Sequence, residues 1–211
     1  MPRRRNRHHK NHQDSHPEPM LRSPKQDLRD RARLEMALNG MRSVFSEEAR
    51  KQIRDLLHKF DNGDGLLTIG KKSATKDMRH LLWSSIDNPD SKDLDQIEYA
   101  ERLSDGESRV YIAIADVDSF VPEKSPIDEA ARQNTTSVYT GIINFPMLPD
   151  ELSYDMTSLL PDVERLAMVY EMTVGRKGHV IESKVYRALV VNKAKLDYRS
   201  IGDWLDGKSS V

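Results

Sequence analysis

Four aspartates, Asp87, Asp90, Asp93 and Asp95, fall within nine residues of the run Ile86-Asp87-Asn88-Pro89-Asp90-Ser91-Lys92-Asp93-Leu94-Asp95-Gln96. Two unit charges about 4 Å apart repel by roughly 4 kcal/mol at an effective dielectric of 20, so converging carboxylates need a cation, a proton or wide separation. Lys92 is the single local lysine and cannot neutralise them all. The run reads as an irregular turn feeding an apolar-alternating segment. Asp93 and Asp95 are two apart, so a strand starting there would point both to one face and Leu94 to the other, with Asp87 brought in by the turn at Pro89. Taken alone, the same spacing also fits a solvated acidic loop, because charge runs are commonly exposed.

With 211 residues the chain has room for one domain of ordinary size plus a tail. Hydrophobic residues make up 37% against 32% charged, enough to bury a core, and the net charge of −1 hides opposite regional balances. Cysteine is absent, which excludes disulfides and thiolate metal sites. No apolar run approaches the roughly 18 residues of a membrane span, and the polar start has no signal-peptide core. The expectation is a cytoplasmic protein with no membrane association.

Residues 1–26 hold Arg3, Arg4, Arg5, Arg7, Lys10, Arg22 and Lys25 against Asp14 and Glu18, with almost no apolar residues, and are expected to form a disordered basic tail. Such a tail is either a solvated end or a source of long-range attraction to phosphates. His8, His9, His12 and His16 are read as a polar run rather than a metal tract. Residues 27–76 form a helical region. Leu28, Ala32, Leu34, Ala37 and Leu38 recur at near-helical spacing until Asn39-Gly40, and Ser46-Glu47-Glu48 caps a second stretch carrying Ile53, Leu56, Leu57 and Phe60. These predict a helical hairpin. Asp61-Asn62-Gly63-Asp64-Gly65 has glycines at the third and fifth positions of a calcium loop and Lys72 at the twelfth, so it is read as a turn.

From residue 77 to 211 the pattern predicts a mixed, mainly antiparallel sheet with flanking helices, an α+β class. Ile97–Leu103 and Arg109–Ala115 form a hairpin across Ser104-Asp105-Gly106, the second strand apolar enough to be buried on both faces. Helical spacing returns over Pro126–Gln133, strands follow at Leu166–Val174 and Val180–Val191, and Tyr198–Leu205 predicts a last helix. Asn134-Thr135-Thr136 satisfies a glycosylation sequon and is read as a surface loop.

Several separated motifs occur together and in order. They are Ser85-Ile86-Asp87 through Asp95, then Ala113-Ile114-Ala115-Asp116, Thr136-Ser137-Val138-Tyr139, Pro146-Met147-Leu148-Pro149 with Leu152-Ser153, Ser158-Leu159, and Lys193-Ala194-Lys195-Leu196. Jointly they resemble the front part of the catalytic domain of the ribonuclease II and ribonuclease R family, the RNB domain. The resemblance implies a partial RNB-type domain over residues 77–211. It also implies a magnesium-dependent hydrolytic exoribonuclease that degrades single-stranded RNA from a free 3′ end and releases nucleoside 5′-monophosphates.

Carried over by motif, the metal ligands and catalytic aspartates are Asp87, Asp93 and Asp95, while the family's fourth aspartate falls on Gln96. Gln96 brings no charge, although it could ligate through its carbonyl or hold a metal-bound water, and nearby Asp90 is a second substitute. Hydrolysis of a phosphodiester asks for charge stabilisation at the attacking and leaving oxygens, which two cations about 3.5–4 Å apart provide, and Mg2+ favours hard carboxylates. Tyr139 matches a tyrosine that stacks near the 3′-terminal base, and Tyr198 matches an aromatic on the RNA path. Arg165 matches a family arginine that either touches phosphate or binds adjacent structure; no RNA role is assigned to Trp83 or Trp204. The family's downstream arginine and glutamate have no counterpart, so the chain is expected to be truncated, with a complementing C-terminal half of the domain as a potential partner. The competing expectation is a non-catalytic RNA-binding remnant or regulatory module in which the acidic cluster is vestigial.

Overall fold

A computed structural model describes residues 23–60 and 75–208. The readings made on the basic segment before Ser23, on its histidines and on the Asp61–Gly65 turn fall outside the described residues. Helix α1 spans Pro24–Leu38 and starts earlier than its apolar periodicity, because Ser23 Oγ accepts from the Gln26 N–H and Pro24 suits the first turn. Helix α2 spans Glu47–Lys59, capped by Ser46 Oγ on the Ala49 N–H at 3.2 Å, with Glu47 and Glu48 in the first turn and His58 and Lys59 in the last.

Both N-terminal helices form where expected, but the principal partner of α2 is not α1. Ala49 and Ile53 of α2 are buried with Ile127 of helix α3 (Pro126–Asn134), Phe120, Leu148, Leu152 and Met156. Gln52 stitches the contact: its Oε1 accepts from the Ile127 N–H at 3.0 Å and its Nε2 donates to Ser125 Oγ at 3.0 Å. Apolar periodicity identifies a face and leaves its partner open. Asn134 departs from the surface-loop reading. It is 3% exposed at the end of α3, and its amide exchanges hydrogen bonds with the Arg42 backbone at 2.8 and 3.0 Å.

The sheet is built from β1 (Lys76–Asp77), β2 (Trp83–Asp87), β3 (Gln96–Arg102) and β4 (Ser108–Ala115). After the short β5 (Val138–Tyr139) and β6 (Asn144–Phe145), which form a separate ribbon, it is completed by β7 (Glu164–Val174) and β8 (Val180–Asp197). β2–β3, β3–β4, β4–β7 and β7–β8 are antiparallel. The 18-residue β8 then runs past β7 and pairs in parallel with β2, from Trp83↔Asn192 to Asp87↔Asp197, so the sheet closes on itself. Helix α4 (Tyr198–Leu205) follows at once, capped by Asp197 on the Arg199 and Ser200 N–H groups.

The core fills the inside of this closed sheet. Trp83, Leu94, Ile97, Ala113, Val169 and Val190 are each 0–1% exposed. Full burial of such a side chain contributes about 1.5–3 kcal/mol. Trp83 also satisfies its indole N–H on the Met78 carbonyl at 2.9 Å, which makes it a core residue. β4 is buried on one face only: Tyr111 and Ala113 point inward, whereas Val110, Ile112 and Ile114 are half-buried on the outer face. The apolar run had suggested two covered faces, but the strand has a packed layer on one side.

Candidate active site

Strand β2 ends at Asp87 and β3 begins at Gln96, so the acidic run is the connection between two neighbouring antiparallel strands. Its fixed point is Leu94, 1% exposed in the core. The Leu159 N–H donates to the Leu94 carbonyl at 2.8 Å, and the Ala115 N–H donates to the Asp95 carbonyl at 2.9 Å. With Leu94 turned inward, Asp93 and Asp95 on either side line the same open cleft. The alternation expected of a strand is present, although the strand itself starts one residue after Asp95.

The cleft has a volume of about 900 Å³ and is lined by all four aspartates together with Tyr139, Asn144, Asp150 and Tyr154. Asp87 Oδ1 accepts from the Asn88 N–H at 2.7 Å and from Ser91 Oγ at 2.9 Å, which folds the start of the loop back on its own carboxylate. Tyr139, on the β5–β6 ribbon, donates its hydroxyl to Asp93 Oδ2. That bond, followed by partial burial and the Asp93 charge, pushes the phenol up to about 12. Burial, then the charges of Asp150 and Asp93, also raises Tyr154, and burial, then Glu151, raises the carboxyl of Asp150. A smaller cavity of about 290 Å³, with Met147 and Leu148 in its wall, adjoins the cleft and shares Asp93, Asp95 and Tyr139 with it.

The donor set is a row of hard carboxylate oxygens on an open cleft, which suits Mg2+. Among the described residues no three His, Cys, Asp or Glu side chains converge tightly enough to hold one ion, so an ion would have to draw the carboxylates inward. Gln96 stands exposed at the first position of β3 and does not line the cleft; Asp90 does. Tyr198 is 60% exposed at the start of α4, one residue beyond the Asp87↔Asp197 pair, and is likewise outside the lining.

Arg165 is resolved in favour of structure over phosphate. Its guanidinium is buried and donates to the carbonyls of Ser158 (3.0 Å), Glu164 (3.1 Å) and Asp155 (3.0 Å) and to Asp155 Oδ1 (3.2 Å). Asp116, from the Ala113-Ile114-Ala115-Asp116 motif, is 2% exposed and is held by Arg187 and by Ser119 Oγ.

With this geometry established, the similarities to known proteins fall into place. The RNB domain matches residues 75–211. The chain belongs to the RNB family. It is 40% identical over 140 residues to Ribonuclease R of Escherichia coli (strain K12), covering 66% of this chain and 17% of that protein. It is 38% identical over 136 residues to Exoribonuclease 2 of Glaesserella parasuis serovar 5 (strain SH0165), covering 62% and 21%. Among solved structures, Mycoplasma genitalium RNase R in complex with ribose methylated single-stranded RNA superposes with a TM-score of 0.71 at 28% identity, covering 83% of this chain and 26% of that one. The chain thus spans about a fifth of the length of the curated relatives it matches.

Of the residues that line the cleft, the motifs pointed to Asp87, Asp93, Asp95 and Tyr139, with Asp90 as a substitute ligand, and not to Asn144, Asp150 and Tyr154. Asp150 had a signal available, since it directly follows Pro146-Met147-Leu148-Pro149. Tyr154 had the same kind of signal, directly after Leu152-Ser153, and reaches the cleft on the π-helical turn Leu152–Met156; Asn144, on the ribbon, had none.

Proposed function

We propose that this chain is the acidic-cluster part of a magnesium-dependent, 3′-to-5′ hydrolytic exoribonuclease that releases nucleoside 5′-monophosphates from single-stranded RNA. The observation that carries the reading is the shared cleft of Asp87, Asp93, Asp95 and Tyr139 in a member of the RNB family. The similarity to an RNase R in complex with ribose methylated single-stranded RNA supports the choice of polymer.

Asp87, Asp93 and Asp95 would hold Mg2+, which when bound supplies positive charge for the attacking and leaving oxygens of the phosphodiester. The Tyr139 hydroxyl holds Asp93 through a hydrogen bond, while its exposed ring offers a stacking surface tolerant of base identity. A complementing C-terminal half of the domain would supply the cationic and acidic groups that orient the scissile phosphate.

The test is incubation of 5′-labelled single-stranded RNA with Mg2+. Progressive shortening from the 3′ end is expected, and Asp95→Asn should stop it while RNA binding stays measurable. Internal fragments would overturn the exonuclease reading. A second reading, a non-catalytic RNA-binding module, is favoured by Gln96, which brings no charge and lies outside the cleft. A chain that binds RNA and shortens it neither alone nor with the complementing half supplied selects that reading.

A further inference from the structure

Residues 88–95, with Asp87 at their start, bring four like charges together and form no strand of their own, so something must resist the spreading of this loop. Two side chains from distant parts of the sequence take its backbone carbonyls. Lys195 lies on β8 opposite Ser85, in the stretch where β8 pairs in parallel with β2. Its Nζ donates to the carbonyls of Pro89 at 2.9 Å and Ser91 at 2.7 Å. Ser158 is 2% exposed; its hydroxyl donates to the Lys92 carbonyl at 2.7 Å and accepts from the Leu94 N–H at 3.0 Å. Each pin engages main-chain atoms and leaves the carboxylates to face the cleft.

We propose that Lys195 and Ser158 are positioning residues for the acidic loop, and that divalent-ion affinity at the cleft depends on the two pins. The ion-affinity clause rests on the metal reading proposed above; the loop-holding clause does not. Two effects of Lys195 oppose each other. Its charge weakens the field that attracts a cation, whereas its hydrogen bonds fix the backbone from which the ligands project. Hydrogen bonds involving an ionised donor are roughly twice as strong as neutral ones, while charges facing water are screened. Geometry therefore outweighs charge, and loss of Lys195 weakens ion binding. Ser158 reports the same geometry without any change of charge.

The experiment uses the full chain as wild type, Lys195→Met, Lys195→Arg and Ser158→Ala, with two readouts: amide hydrogen exchange over residues 88–95, and calorimetric titration with Mn2+. Lys195→Met and Ser158→Ala should each speed exchange in the loop by about tenfold or more while the β7–β8 hairpin stays protected. Each should weaken Mn2+ by about tenfold, equivalent to about 1.4 kcal/mol. Lys195→Arg, which keeps the charge and a donor, should recover part of both losses. Unchanged loop exchange in both variants overturns the proposal. So does tighter Mn2+ binding by Lys195→Met with no effect of Ser158→Ala, which would make Lys195 a charge alone. If circular dichroism shows that Lys195→Met does not fold, Ser158→Ala and Lys195→Arg decide. A wild-type chain that binds no Mn2+ overturns the metal reading and the ion-affinity clause, and the exchange data then decide the loop-holding clause alone.

Discussion

In the β7–β8 hairpin the backbone satisfies itself residue by residue from Glu164↔Val191 to Thr173↔Glu182, with one register shift before Val174↔Val180. In residues 88–95 no ladder runs, and the main-chain groups end on Lys195, Ser158 and the neighbouring strands instead. The hairpin is therefore indifferent to most of its exposed side chains, and the loop depends on a few. Three of the carboxylates that line the cleft, Asp90, Asp93 and Asp95, sit on the region of the second kind. A straight ladder would point Asp87, Asp93 and Asp95 to one face but string them out at about 3.3 Å per residue, whereas the irregular loop brings them to one cleft.

The contrast is broken most severely at Leu94, where loop and core meet. Leu94→Ala should cost about 2–5 kcal/mol in urea unfolding, the range for removing a buried leucine. A loss below about 1 kcal/mol would mean that Leu94 is not the anchor described above. Arg165→Met comes next. It removes the guanidinium's hydrogen bonds to the carbonyls of Ser158, Glu164 and Asp155, at about 1.5–3 kcal/mol for bonds that involve a charged group; the Ser158 and Asp155 carbonyls keep the Leu160 and Ser158 N–H groups. RNA affinity of the folded variant should stay unchanged; a weakened affinity with unaltered stability would restore the phosphate role.

Tyr139 sharpens the comparison by separating ring from hydroxyl. Tyr139→Ala should lower RNA affinity by about 1–3 kcal/mol and change end-product length, whereas Tyr139→Phe should preserve both because stacking needs only the ring. The hydroxyl has its own signature in pH. The folded protein keeps the proton up to about 12, above the ordinary tyrosine value near 10, so its stabilisation is complete below about pH 10 and is lost as the pH rises toward 12. Thermal melts of Tyr139→Phe should lack that part of the alkaline decline. The smallest effect belongs to the hairpin. Lys184 pairs with Glu182 at 3.0 Å with both side chains more than half exposed, and Lys184→Ala should leave the urea midpoint essentially unchanged. A clearly lowered midpoint would show that the hairpin, too, relies on side-chain pins.

The helices, the two hairpins and the acidic turn were legible because each rests on neighbours in sequence. Ser46 is a helix cap recognisable from the acidic residues that follow it, whereas Ser125 caps α3 unannounced and Ser23 caps α1 inside the stretch expected to be disordered, whose residues 24–26 are helical. Asp105 and Gly106 take the positive φ values that turn β3 into β4, and Gly106 also lies against Arg176, where a Cβ would meet Nε at 2.6 Å. Asp87, Asp93, Asp95 and Tyr139 were named from spaced motifs and share one cleft. Gln96 and Tyr198 were named in the same way and lie outside it, since adjacency to a motif does not say which way a residue faces.

By itself, then, the order of residues determined the caps, the turns, the strand alternation and the charge concentrated in one connection, all of which act over a few residues. Only the tertiary structure decided that α2 packs on α3, that β8 reaches back to close the sheet against β2, and that Lys195, Ser158, Asp150 and Tyr154 arrive around the aspartates. These juxtapositions join residues from about 60 to more than 100 positions apart, as the Lys195–Ser91 and Ser158–Lys92 bonds do with separations of 104 and 66. They follow from which apolar faces bury one another most completely, a property of the whole chain that no local pattern encodes.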